Sequence, residues 1–338
     1  MTDTLIRDTA PDAGTGGPFV RPDVRGFLDY LNSVPGPKTH EGTADTARAM
    51  YIAMKDIADP PLGALGLVKD LTIPGPHGDI PARLFDPRET REPSPIVVFF
   101  HGGGFVIGNI ETHASFTAEM ARQLDLPVVS VDYRLAPEAK WPAAPEDCEV
   151  AARWVASNPA ELERVATGLV LSGDSAGGTL TITTAMALRD AAADVPVIVQ
   201  APIYPAADMN KEYPSFDSFA DGFLLTRETM IWFAEHYGAD FTDYRGSPMV
   251  GNLVGLPPAV VITASLDPIR DQGRAYAAAL VLAGVPVTYR EAVGNIHGFI
   301  TLRQAIPSSA GDVAGYLAVL KDAIVEAEGE RVMRQAAG

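Results

Sequence analysis

Leu169-Val170-Leu171-Ser172-Gly173-Asp174-Ser175-Ala176-Gly177-Gly178 joins an apolar, strand-like run to a serine set between glycines, and residues 176–192 beyond it are compatible with a helix. A chain that turns sharply from strand to helix needs small residues on both sides of the turn. Residues 173–177 carry the spacing G-x-S-x-G, which presents the serine hydroxyl at the N-terminus of the following helix. Composition alone would yield about 0.1 such pentapeptides in a chain of this makeup. The context therefore carries the argument, and the bland alternative is a serine that only makes the turn.

Outward from that turn the same alternation continues. Short β-rich runs occupy residues 68–73, 82–85, 96–100, 128–131, 169–172, 197–200, 260–264 and 287–291, with helix-like segments at 112–124, 145–158, 176–192 and 271–283. Strands alternating with helices indicate an α/β fold whose sheet is mostly parallel, the first two hairpin-like strands being antiparallel. Two helical stretches, 21–34 with Phe27, Leu28 and Leu31 on one face and 41–57 with Met50, Ile52, Met54 and Ile57, precede the sheet across the breaker Pro35-Gly36-Pro37. After Ile203-Tyr204-Pro205 about 40 residues pass before the next strand, a stretch that includes a helix-like run at 228–237 and the aromatics Phe216, Phe219, Phe223, Trp232 and Phe233. An insertion of that length suggests a cap over the strand ends where ligands bind. The expected division is residues 1–45 as the N-terminal part of the cap, 46–205 and 247–338 as the α/β domain, and 206–246 as the cap insertion. Phe219, Phe223 and Leu224 are the expected substrate-binding residues, and residues 1–18 are expected to be loose.

With 338 residues, 47% hydrophobic and 20% charged, the composition is that of a globular protein with a sizeable core. Forty-three acidic against 26 basic side chains give a net charge of −17, which repels nucleic acid and anionic membrane surfaces. Cys148 is the single cysteine, so no intrachain disulfide can form and a structural zinc site is not expected. The start of the chain lacks a basic region followed by an apolar one, and no apolar run approaches 18 residues. A cytoplasmic protein is expected.

A second glycine-rich signal follows the 96–100 strand: His101-Gly102-Gly103-Gly104-Phe105. Three glycines let backbone N–H groups face open space, as a developing oxyanion requires. The donors expected are Gly103 and Gly104, joined by Ala176 after the serine, with His101 as an anchor of the loop. The rival is a dinucleotide site, since residues 102–108 also read G-x-G-x-x-x-G, with Asp132 at the next strand end and Arg134 nearby. That rival leaves Ser175 unexplained. A hydroxyl nucleophile needs a base, and of six histidines His297 fits, in a loop after the last strand. The base needs a carboxylate, and Asp267 follows the 260–264 strand, whereas Asp271 is read as complementing the helix that starts there. The order Ser175, Asp267, His297 is that of α/β-hydrolases.

These motifs, together with Asp132-Tyr133-Arg134-Leu135-Ala136-Pro137-Glu138, Pro142-Ala143-Ala144, Glu146-Asp147-Cys148, Asp267-Pro268-Ile269-Arg270-Asp271 and Ile296-His297-Gly298-Phe299, resemble over residues 71–305 the hormone-sensitive-lipase family of α/β-hydrolases, the bacterial family IV esterases. The resemblance implies an α/β-hydrolase fold with a helical cap, hydrolysis of short- to medium-chain acyl esters, no cofactor, and a homodimer through sheet edges. Arg134 and Glu138 are read as tying loops beneath the site. From another class, plant gibberellin receptors resemble this family but lack the catalytic histidine, so His297 weighs against a receptor.

Overall fold

In β3 (Ser94–Phe100) every residue after the first is buried, and Val98 and Phe100 face one hydrophobic cluster while Val97 and Phe99 face another. A strand buried on both faces belongs inside a sheet covered by helices on both sides. The computed structural model, which describes residues 17–337, builds that sheet from eight strands. The others are β1 (Leu67–Ile73), β2 (Ile80–Asp86), β4 (Val128–Val131), β5 (Ala166–Asp174), β6 (Val197–Ile203), β7 (Ala259–Leu266) and β8 (Val287–Ile296), in the order β1-β2-β4-β3-β5-β6-β7-β8. β1 and β2 pair antiparallel, as does β2 with β4, and the remaining pairs are parallel. All eight expected strands form, most extending a residue or more beyond the apolar runs.

The helices are α1 (Pro22–Ser33), α2 (Ala44–Ala58), α3 (Ile110–Leu124), α4 (Ala143–Ala156), α5 (Ala176–Asp190), α6 (Pro214–Ser218), α7 (Arg227–Tyr237), α8 (Arg270–Leu282) and α9 (Ser309–Ala337). Helices α4, α5 and α8 contribute to the cluster on one face of the sheet, and α3 and α9 to that on the other. The chain runs from β3 through α3 to β4 on one side, then through α4 to β5 on the other. The strand order therefore reverses around β3, which opens a crevice at the carboxyl ends of β3 and β5.

Over those strand ends lie α1 and α2 together with α6 and α7. A third cluster joins Val24, Phe27 and Leu28 of α1 to Phe219 of the insertion and to Ile296 at the end of β8. The apolar face expected on α2 is not its buried face: Met50, Ile52 and Ile57 are 41%, 43% and 63% exposed, while Ala44, Ala47 and Ala58 are buried. The helix packs closely through its small residues and leaves the larger ones at the surface or over the crevice. A division at residue 45 falls inside α2, which continues to Ala58. The expectation that the first residues are loose falls, up to residue 16, outside the described residues. Among the described residues no helix is long and apolar enough to cross a membrane.

Candidate active site

Ser175 stands between β5 and α5 with φ 56° and ψ −116°. Its own N–H is held by the carbonyl of Ile203 at the end of β6, 2.9 Å away. A Cβ at Gly177 would overlap the carbonyl of Phe100, so the turn can pack against β3 only with glycine there. Ser175 Oγ lies 2.9 Å from His297 Nε2, and His297 Nδ1 lies 2.7 Å from Asp267 Oδ2. A carboxylate oxygen accepts, so the imidazole carries its proton on Nδ1 and turns the Nε2 lone pair toward the serine hydroxyl. Asp267 is fully buried, and its other oxygen accepts the Ile269 N–H at 2.9 Å. The three residues come from the ends of β5, β7 and β8. The Tyr204 ring lies 4.5 Å from the imidazole and lies beside it, a contact the sequence reading did not single out.

The glycine loop orients two peptides by the same device. His101 Nδ1 donates to the Gly102 carbonyl at 2.8 Å, and the Val106 and Ile107 N–H groups donate to the Gly103 carbonyl at 3.0 and 2.9 Å. In a trans peptide the N–H points opposite to the C=O, so the Gly103 and Gly104 N–H groups are turned away from those bonds. Ala176 is the first residue of α5, where a helix leaves its N–H without an internal partner. Gly103, Gly104, Ala176, Ser175 and His297 all line one cavity. Burial, with His113 adding to it, pushes the His101 imidazole down to about 3, so it stays neutral and serves as an anchor.

The cavity has a volume of about 580 Å³. Of the three substrate-binding residues expected, Leu224 lines it; Phe219 and Phe223 pack edge to face at 5.2 Å in the third cluster, behind the wall. The insertion lines the cavity instead with Phe216, Met230 and Phe233, and α2 with Met50, Tyr51 and Met54. The spacing of Met50 and Met54 on α2 reads as an ordinary core face, and only the approach of two distant segments turns it into a pocket wall.

Three further residues bear on their sequence reading, and Arg134 ties its loop to α4 in line with it. Arg134 makes a bidentate pair with Asp147 of α4 at 2.8 and 2.7 Å, so it is not free to receive a phosphate and the dinucleotide reading fails. Glu138 does not tie loops beneath the site. It holds Arg48 of α2 at 2.8 and 2.7 Å, and Arg48 also donates to the carbonyls of Val106 and Ala136, each at 2.9 Å, strapping the cap to the glycine loop. Asp271 stands in the first turn of α8 as expected, yet it does more than complement a helix. Buried, it accepts from Arg270 at 2.8 Å, Arg274 at 3.2 Å and the Ser215 N–H at 3.0 Å, fastening α6 onto α8.

A hydroxyl hydrogen-bonded to a tautomerically fixed imidazole, at a cavity that Gly103, Gly104 and Ala176 also line, suits attack on a carbonyl carbon. Residues 97–301 match the family model described as the alpha/beta hydrolase fold. The chain is 36% identical over 314 residues to carboxylesterase NlhH of Mycobacterium tuberculosis, covering 90% of this chain and 97% of that one. It is 38% identical over 264 residues to carboxylic ester hydrolase LipN of the same organism, covering 75% and 70%. Among solved structures, an ester hydrolase from the metagenome of Lake Arreo, complexed with a derivative of bipyridine phosphonate, superposes with a TM-score of 0.84 at 36% identity over 90% of this chain and 98% of that one.

Proposed function

The chain belongs to the α/β-hydrolase family, in its hormone-sensitive-lipase-like branch of esterases, and on that premise we propose how its residues divide the work. The protein is a carboxylic ester hydrolase. In the proposed mechanism Ser175 Oγ attacks the ester carbonyl carbon as His297 Nε2 takes its proton. The carbonyl oxygen becomes an oxyanion held by the N–H groups of Gly103, Gly104 and Ala176, and Asp267 stabilises the imidazolium. Collapse breaks the carbon–oxygen bond to the alcohol, which leaves with the proton from His297. Water, deprotonated by the same imidazole, then attacks the acyl-enzyme and releases the acid and free Ser175.

The observation that carries this reading is the unbroken chain from Ser175 through His297 to Asp267, at 2.9 and 2.7 Å, inside a cavity. It also weighs against a receptor, which would have no use for a base at the serine. The test is stoichiometric labelling with an organophosphate. One serine, Ser175, is expected to be modified, and Ser175→Ala is expected to abolish both labelling and hydrolysis of p-nitrophenyl butyrate without changing the melting temperature. Hydrolysis that survives the substitution sinks the mechanism.

The cavity volume supports acyl chains of about two to eight carbons as the preferred substrates. The cap is assigned to the segments through Ala58 and to residues 206–246, the parts whose side chains close over the strand ends. The exposed edge strand β8, with Tyr289 and Val293 38% and 53% exposed, supports a homodimer through that edge, to be checked by sedimentation equilibrium. The buried, unpaired thiol of Cys148 suits a reducing cytoplasm.

A further inference from the structure

One histidine that takes no part in the proposed proton transfers is more deeply buried than the one that does. His113 of α3 has no exposed surface, and its Nε2 lies 3.1 Å from Asp174 Oδ1, off the line of an ideal hydrogen bond and with no other partner. Its Nδ1 lies 2.9 Å from Thr112 Oγ1, and the ring sits between Tyr51 of α2, Phe99 and His101, with centroids 6.1, 6.0 and 5.7 Å away. Asp174 is the residue before Ser175, buried and lining the cavity. The oxygen that faces His113 also accepts the N–H of Gly102 at 2.7 Å, and the other accepts the Tyr204 hydroxyl at 3.3 Å. Four segments therefore meet on one carboxylate: the serine turn, the glycine loop, the end of β6 and α3.

We infer that His113 is a positioning residue for the esterase reaction, bracing Asp174 so that its carboxylate holds the Gly102 peptide and thereby aims the oxyanion donors that follow it. The inference rests on the esterase reading above. A carboxylate oxygen only accepts, so the 3.1 Å approach favours the tautomer with the proton on Nε2. Burial alone would push the Asp174 carboxyl up; the neighbouring His113 and the Gly102 N–H outweigh it and hold the group below the usual carboxylate value. Without His113 that carboxylate has only one short hydrogen bond in an apolar surround. It then turns or takes a proton, and Gly102 loses a defined acceptor. Two peptides later the Gly104 N–H shifts with the loop, and a donor misplaced by about 1 Å is enough to cost about 10²-fold in rate. Because those donors act on charge that develops in the transition state, the loss falls on kcat and leaves KM little changed.

The test uses the full-length chain, p-nitrophenyl butyrate, and rates normalised to serines titrated to completion with an organophosphate. An asparagine amide reproduces the position of the histidine Nδ1, and a glutamine amide that of Nε2. His113→Asn therefore removes the donor to Asp174, and His113→Gln returns one. Expected are a fall in kcat of about 10- to 100-fold for His113→Asn, with KM within about threefold, and recovery of most of kcat in His113→Gln. Both variants lose the aromatic ring, so a purely packing role predicts equal damage in the two. Asp174→Asn, which keeps the volume and removes the charge, is expected to lower kcat at least as far as His113→Asn. Adding His113→Asn to it is expected to lower kcat no further, since both act through one link. Wild-type kcat in His113→Asn or in Asp174→Asn overturns the brace, as does a glutamine variant no better than the asparagine one. A wild-type chain that neither labels nor turns over sinks the esterase reading itself, which the variant ratios do not address.

Discussion

The strand-end loops and the cap both line the same cavity, yet they are built on opposite terms. In the loops the backbone leaves no choice: Gly177 cannot carry a Cβ beneath Phe100, and two carbonyls of the glycine loop are tied off so that the adjoining N–H groups point away from those bonds. In the cap the backbone is ordinary helix, and what matters is which side chains two distant segments bring together. Helix α2 buries alanines and offers Met50, Tyr51 and Met54 to the cavity; α7 offers Met230 and Phe233. The difference teaches that the reaction is written in local sterics, whereas the shape of the substrate is written in packing between segments far apart in sequence.

The largest effect that could break this division lies in the loops. Asp267→Asn should keep the fold while favouring the wrong imidazole tautomer, lowering kcat by about 10⁴-fold, the scale seen in the chymotrypsin-like case. Single-turnover kinetics on titrated sites measures it, and a fall below tenfold would mean that another group orients His297.

Next comes the place where loop and cap touch. A methyl group at Gly104 would enter the Phe233 ring, so Gly104→Ala is expected to displace the donor and lower kcat by about 10²- to 10³-fold. Phe233→Ala in the same chain should recover part of that loss. If it recovers none, the clash is with the loop itself and the two regions are not coupled there.

Asp271→Asn sharpens the comparison from the other side. The residue fastens α6 to α8 through buried contacts with Arg270 and Ser215, so neutralising it should cost about 2 kcal/mol in urea unfolding. Activity per titrated site should stay at the wild-type level, which separates a carboxylate that holds the cap from one that serves the base four residues earlier.

The smallest expected effect belongs to the strap between them. Arg48→Ala removes two hydrogen bonds to loop carbonyls and a pair with the half-exposed Glu138, a change of about 1 kcal/mol in stability. KM should rise while kcat holds within about twofold. A large fall in kcat would show that the cap sets the oxyanion geometry as well as the pocket.

What could not be read in advance has a common cause. Phe219 and Phe223 were the conspicuous aromatics of the insertion, but an aromatic is as good a packing residue as a lining one, and here they pack on α1. Met50 and Ile52 had the spacing of a buried face, but a helix lying over a crevice has no continuous core to bury them in. Asp271 looked like a helix-start acid because its partner Ser215 lies 56 residues away in the chain. Helix α9 went unnoticed although Val313, Tyr316, Leu317, Leu320 and Ile324 form its buried stripe at helical spacing. His113 and Tyr204 carry no signal of their own, since a buried histidine or tyrosine in an apolar segment resembles any other core residue.

By itself the sequence determined the alternating α/β order, the eight strands, the serine turn, the glycine loop and the chain order of serine, aspartate and histidine. The strands and turns depend on residues within a few positions of one another, through apolar periodicity and the absence of side chains, and the order of serine, aspartate and histidine is read directly along the chain. Only the tertiary structure decided that Asp271 fastens α6 to α8, that Asp174 meets His113, Gly102 and Tyr204, and that α2 and α7 wall the cavity. Those outcomes depend on distances between elements that the strand order brings together, and a linear pattern contains no term for them.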